Sequence, residues 1–142
     1  MEKIPVMLRI RSRQTYQGID PDSMELVTEG TLEKRGGVWD ITYEESDLTE
    51  LSGVTTSFCV SDRGIALKRT GRLQSQMIFR EGIRHESLYQ LDFGALMIAV
   101  TAQKIRYSLS EQGGTVDIVY NIEVEQSAAG IVEYHLDVTP MK

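Results

Sequence analysis

Thr115-Val116-Asp117-Ile118-Val119-Tyr120-Asn121-Ile122-Glu123-Val124-Glu125 alternates apolar and polar residues without a break, and Val132, Tyr134, Leu136 and Val138 repeat the pattern shortly afterwards. Successive side chains on a strand point to opposite faces, so a period of two marks a strand with one face in the core. Two such strands, joined by the glycine-bearing Ala128-Ala129-Gly130, predict a hairpin.

Working outward, the same signal recurs over Val38–Glu45, Val54–Ser61, Ile65–Thr70, Ser75–Arg80, Ile83–Gln90, Phe93–Thr101 and Ile105–Ser110. The separators Arg35-Gly36-Gly37, Asp62-Arg63-Gly64, Glu81-Gly82 and Gln112-Gly113-Gly114 are too short to hold crossover helices. Connections of this length demand antiparallel pairing. Together with two N-terminal strands, the pattern predicts about eight to eleven strands. The fold expected is all-β: one closed antiparallel up-and-down barrel, because closure removes the exposed edges of a long open sheet. Glu45–Gly53 is the segment left for a helical turn or a long loop.

The charges on the first two strands supply a register. A turn centred near Ile19 places Arg13 opposite Glu25 and Arg9 opposite Glu29, and on the other face Leu8 opposite Gly30 and Val6 opposite Leu32. Both faces are then satisfied, with the arginine stripe outside. Gly30 inside the strand predicts a bulge or a sharp bend.

The 142 residues form one domain, 1–142, with ordinary fractions of hydrophobic (41%) and charged (25%) residues. The longest apolar run, Phe93–Val100, is far too short for a membrane helix, and the first residues do not resemble a secretory signal. Cys59 has no partner for a disulfide. A cytoplasmic protein is expected. The net charge of −6 argues against general nucleic-acid binding. Arg63, Lys68, Arg72, Arg80 and Arg84 nevertheless lie in a stretch whose only acid is Glu81, a candidate basic surface patch. The two histidines lack metal-ligand spacing, His135 falls on the outward face of the last strand, and no nucleophile elbow or phosphate-binding loop occurs. Neither a metal nor another cofactor is expected.

One hairpin differs from the rest. A three-residue loop, Arg80-Glu81-Gly82, pairs Phe79 with Ile83, Met77 with His85 and Ser75 with Ser87. The apolar members mark that face as interior, so Ser75, Met77, Phe79, His85, Ser87 and Tyr89 form a candidate ligand-binding wall. The same polar groups are equally compatible with a structural network, and His85 with a general base. Phe93–Val100 breaks the alternation because both its faces are apolar, which calls for a cover: either a loop such as Glu45–Gly53 or, the favoured choice, a second copy of the chain in a homodimer.

Leu26-Val27-Thr28-Glu29-Gly30, Tyr43-Glu44-Glu45-Ser46, Arg69-Thr70-Gly71, Ser75-Gln76-Met77 with Phe79 and Gly82, His85 with Tyr89, and Phe93-Gly94-Ala95-Leu96 together resemble the YwiB-like family of small bacterial proteins. The resemblance implies a calycin-like, lipocalin-type barrel and a cytoplasmic bacterial setting. It brings no catalytic residue. Where the family pattern tends to run Tyr-x-Thr-Pro before the aromatic-glycine pair, this chain has Tyr89-Gln90-Leu91-Asp92. The function expected is non-enzymatic binding of a small, partly apolar ligand inside the barrel. The alternative is an interaction or regulatory module that works through its outer surface.

Overall fold

A computed structural model describes residues 2–15, 21–46, 52–91 and 94–141. Ten strands follow in chain order: β1 (Ile4–Thr15), β2 (Asp22–Arg35), β3 (Val38–Glu44), β4 (Val54–Ser61), β5 (Gly64–Gly71), β6 (Ser75–Phe79), β7 (Arg84–Leu91), β8 (Gly94–Ser110), β9 (Gly113–Val124) and β10 (Ser127–Pro140). They form a single sheet in the order β6-β5-β4-β3-β2-β1-β10-β9-β8-β7, and every ladder is antiparallel. Sequence neighbours pair throughout except at β6 and β7, which among the described residues form no continuous ladder and are linked at their ends by the isolated bridges Gln74–Gln90 and Arg80–Ile83. The result is a nearly closed up-and-down barrel whose seam falls mid-chain.

Ten strands replace the eleven the sequence allows, because Phe93–Thr101 and Ile105–Ser110 merge into β8. A bulge between Ala102 and Lys104 absorbs the break in alternation without ending the strand. The turn between β9 and β10 is also displaced. It lies at Glu125-Gln126, both with positive φ (51° and 68°), and the expected turn glycine, Gly130, instead flanks a bulge within β10. Positive φ at both central residues is what a two-residue hairpin turn matched to strand twist requires.

The β1–β2 register differs from the expected one by two residues. Arg11 lies opposite Glu25, Leu8 opposite Thr28 and Ile4 opposite Leu32. A slip of two leaves every face assignment intact, since side chains repeat with that period. The turn that sets it, residues 16–20, lies outside the described residues, as do 47–51 of the expected loop. Gly30 carries no bulge, for the pairing runs through it to both Val6 and Tyr43. Its role is close approach: a Cβ there would meet the Thr42 carbonyl oxygen at 2.5 Å and Leu8 Cδ1 at 2.7 Å.

The inner phase of the strands fills one half of the barrel solidly. Val6, Leu8, Ile41, Phe58, Val60, Ile65, Phe79, Ile118 and Leu136 are all buried. The outer phase carries the charges expected of it. Arg9 pairs with Glu25 at 3.0 Å and Arg11 with Asp137 at 3.6 Å, while His135 lies between Asp117 (2.5 Å) and Asp137 (2.9 Å). With a carboxylate at each ring nitrogen, the imidazolium is the form that satisfies both. The hydrogen bond to Asp117 raises the His135 pKa above its ordinary value, that to Asp137 adds to it, and partial burial opposes them.

Two outcomes are expected. Gly30→Ala forces a methyl group against a backbone carbonyl and costs about 1–3 kcal/mol, read as a lower urea midpoint with unchanged slope. Because the folded pKa of His135 is the higher one, its contribution to stability is complete below about pH 6.5 and is lost as the pH rises through the folded pKa. Urea unfolding of the wild type and His135→Gln therefore shows a stability difference that is largest in mild acid and shrinks in mild alkali; a difference independent of pH contradicts the assignment.

Candidate functional site

The inner stripe of several strands turns from apolar to polar as it nears one end of the barrel. On β3, Trp39, Ile41 and Tyr43 lead to Glu45 just past the strand; on β4, Val60 and Phe58 lead to Thr56; on β5, Ile65 and Leu67 lead to Arg69; on β6, Phe79 and Met77 lead to Ser75. Antiparallel pairing brings the polar ends together, with Tyr43 opposite Thr56 and, one ladder on, Thr56 opposite Arg69 and Arg69 opposite Ser75. Tyr43, Glu45 and Arg69 border a cavity of about 330 Å³, with Thr56 and Ser75 beside them, that reaches across the barrel to Ser12, Gln14, Leu26, Ile98, Tyr120 and Tyr134. Its floor is aromatic, Phe58 packing on Tyr134 at 5.6 Å and Phe79 on Tyr120 at 4.6 Å between ring centres.

The polar wall is organised around one carboxylate. Glu45, whose side chain is only 2% exposed, accepts a hydrogen bond from Thr56 Oγ1 at 2.6 Å and lies 3.9 Å from Arg69 Nε. That separation gives electrostatic attraction but exceeds hydrogen-bond reach. Arg69 Nε and the Ser75 hydroxyl are both buried without a hydrogen-bond partner among the described residues. Each such orphan costs about 1–3 kcal/mol relative to a satisfied group. Burial pushes the phenol pKa values of Tyr43 and Tyr134 up, helped at Tyr43 by Tyr134 and Glu45 and opposed at Tyr134 by Arg69, so both remain neutral. The cavity edge thus holds a guanidinium and a carboxylate beside two neutral phenols.

Among the described residues no cysteine faces the cavity. Cys59 lies on the outer phase of β4, where burial and a hydrogen bond with Asp40 raise its thiol pKa to about 11. Such a thiol is protonated near neutrality. Among the described residues no three His, Cys, Asp or Glu side chains converge on a point that a metal could occupy. A wider groove of about 640 Å³ lies on the outer face between Arg11, Arg13, Glu25, Asp117, Glu133 and His135, but Arg11, Glu25, Asp117 and His135 are already ion-paired.

Of the six residues expected to line the interior, Met77 and Tyr89 border the cavity, Ser75 flanks Arg69, Phe79 lies in the packed floor, and Ser87, opposite Ile98, does not line the cavity. His85 is opposite Val100, away from the cavity, with Nδ1 buried and unpartnered among the described residues; no hydrogen bond joins it to Ser75, Ser87 or Tyr89. The expected pairing of Phe79 with Ile83, Met77 with His85 and Ser75 with Ser87 does not form. Its two bridges belong to registers one residue apart, so no continuous ladder can contain both. The loop is a two-residue turn, Ile83 N donating to Arg80 O, with Gly82 at φ 75°. Ile83 is consequently 54% exposed and not interior. The turn docks on the β8 bulge, Gly82 N donating to Ala102 O and Ile105 N to Glu81 Oε2.

The expected basic residues do not assemble into one patch. Arg63 and Arg80 share a groove with Asp62 and Glu81 at the far end of the barrel, whereas Arg72 donates to the Ser52 carbonyl at the cavity end. Arg84 is held by Glu123 (2.9 Å) and Glu86 (3.2 Å), and Lys68 lies apart on the outer face of β5. Sequence reasoning missed Glu45, Thr56 and Arg69. The signal was present, since each continues the inner phase of its strand by one more step.

A family model described as a domain of unknown function, DUF1934, matches residues 8–137. The uncharacterised β-barrel protein YwiB of Bacillus subtilis (strain 168) is 27% identical over 124 residues, which cover 87% of this chain and 84% of YwiB. The crystal structure of ywiB protein from Bacillus subtilis matches with a TM-score of 0.89 at 21% identity, covering 99% of this chain and 94% of that one. At that identity the likeness speaks for the barrel fold alone. With the family model spanning all but the two ends of the chain, this β-barrel belongs to the DUF1934, YwiB-like family.

Proposed function

We propose that this protein is a non-enzymatic binding barrel that holds a small, partly apolar molecule in its open end. The observation that carries the reading is the 330 Å³ cavity, with apolar and aromatic walls on one side and the Glu45–Arg69 pair, its Nε unsatisfied among the described residues, on the other. That combination of apolar lining with a few convergent polar groups is what small-molecule sites share, and the volume lies at the low end of their range. A lipocalin-like mode of action accords with it, as does a cytoplasmic setting. The lone cysteine and the charged outer phase, the reverse of a lipid-facing barrel surface, support the latter.

N-phenyl-1-naphthylamine, a neutral apolar fluorophore, tests the site. The wild type is expected to bind it with enhanced emission, and Ile98→Trp, which fills the cavity from β8, to weaken binding by about tenfold or more while the far-ultraviolet spectrum is retained. No binding by the wild type, or equal binding by a folded Ile98→Trp, removes the reading.

A second reading, self-association through the start of β8, rests on one observation. The outer phase there is Ala95, Met97 and Ala99, and its neighbour on β7, Leu88, is 44% exposed opposite Met97. Ala99 is itself buried, beside the Arg84–Glu123 ion pair, which leaves Leu88, Ala95 and Met97 as the apolar surface. Phe93 lies outside the described residues. Sedimentation is expected to show a dimer that Leu88→Lys dissociates; a wild type that is monomeric at every concentration excludes this interface.

A further inference from the structure

We infer that the molecule held in the barrel mouth is uncharged and presents a carbonyl oxygen to Arg69 and Ser75, so that free carboxylates are discriminated against. The inference rests on the reading that the cavity holds a ligand, and adds the chemistry of its head group.

Two separate features point this way. The first is a surplus of donors. Arg69 offers five N–H groups. Its ion-pair partner, Glu45, lies 3.9 Å from Nε, and that Nε is buried with no hydrogen-bond partner among the described residues. Ser75, directly opposite Arg69 in the β5–β6 ladder, has a hydroxyl in the same condition. Arg69 borders the cavity and Ser75 stands beside it on the adjacent strand, so one acceptor oxygen with two lone pairs that enters at the Arg69 edge meets both buried groups together. An all-hydrocarbon ligand leaves both unsatisfied.

The second feature is charge. The positive charge of Arg69 already has its counter-charge in Glu45, which is almost wholly buried and is fixed in place by Thr56. A ligand carboxylate brings a second negative charge beside a single cation, in a site where water screens poorly. Tyr43 and Tyr134, held neutral, supply no positive charge to offset it. A neutral carbonyl accepts the same hydrogen bonds with no such penalty. Leu26, Ile98, Ile122 and Val132 then receive the apolar remainder.

Displacement of N-phenyl-1-naphthylamine by decanamide and by decanoate, at a pH where decanoate is ionised, tests the inference. For the wild type, decanamide is expected to compete at about tenfold lower concentration than decanoate. Glu45→Gln removes the resident negative charge and is expected to reverse the order, whereas Arg69→Met, which leaves the Glu45 carboxylate unopposed, is expected to widen the preference for the amide. Decanoate competing as well as decanamide at the wild type, or an amide-to-acid ratio unmoved by Glu45→Gln, overturns the head-group assignment while fluorophore binding still upholds the cavity. Absence of binding by the fluorophore and both competitors removes the cavity reading itself. Should Glu45→Gln fail to fold, Ser75→Ala decides. Its decanamide affinity is expected to fall about threefold to tenfold, and an unchanged value overturns the assignment.

Discussion

Ten residue pairs between β1 and β10, the two ends of the chain, hold the barrel shut. Every other ladder joins strands that are neighbours in sequence and closes a short loop; this one closes the whole chain. It is supported on both faces, by Leu8, Ile10, Leu136 and Val138 inside and by the Arg11–Asp137–His135–Asp117 chain of charges outside. Because the ends pair so completely, the remaining mismatch of the ring is displaced to mid-chain, where β6 and β7 touch at two bridges of different register.

Closure also determines what the interior can be. A ring of this size is neither wide enough for a channel nor obliged to be hollow. Here the two halves differ. The end carrying the β2–β3, β4–β5 and β8–β9 turns is packed with aliphatic side chains and two phenylalanines, and the other end keeps a cavity edged by a carboxylate, a guanidinium and tyrosines. The buried Glu45–Arg69 pair is expensive to desolvate, and at 3.9 Å, with Nε unsatisfied, it does not recover that cost within the described residues. Polar groups retained at such a cost, beside a part of the core that is not filled, are what the binding proposal rests on.

Much of the fold was legible in the residues. The alternation through Val116, Ile118, Tyr120 and Ile122 assigned the inner face of β9 correctly, and the arginine stripe of β1 is outside as its spacing requires. Turn placement was less legible. Gly130 carried the composition of a hairpin turn, yet Glu125 and Gln126 take the positive φ angles, since register with β9 outweighed local preference. Ile83 was assigned inward on its apolar character, and the one-residue difference in loop length turned it out.

The period-two pattern by itself determined that the chain is a meander of antiparallel strands, which residues share a face, and that the charges of β1 and β10 lie outside. These follow from geometry local to each strand, so a few residues suffice to read them. Only the tertiary structure decided the position of the seam, the exclusion of His85 from the cavity, and the meeting of Glu45, Thr56, Arg69 and Ser75 on four neighbouring segments. Those outcomes depend on registers between strands, and a register is set by the ring as a whole: a one-residue difference at a single turn moves a side chain from the inside of the barrel to the outside.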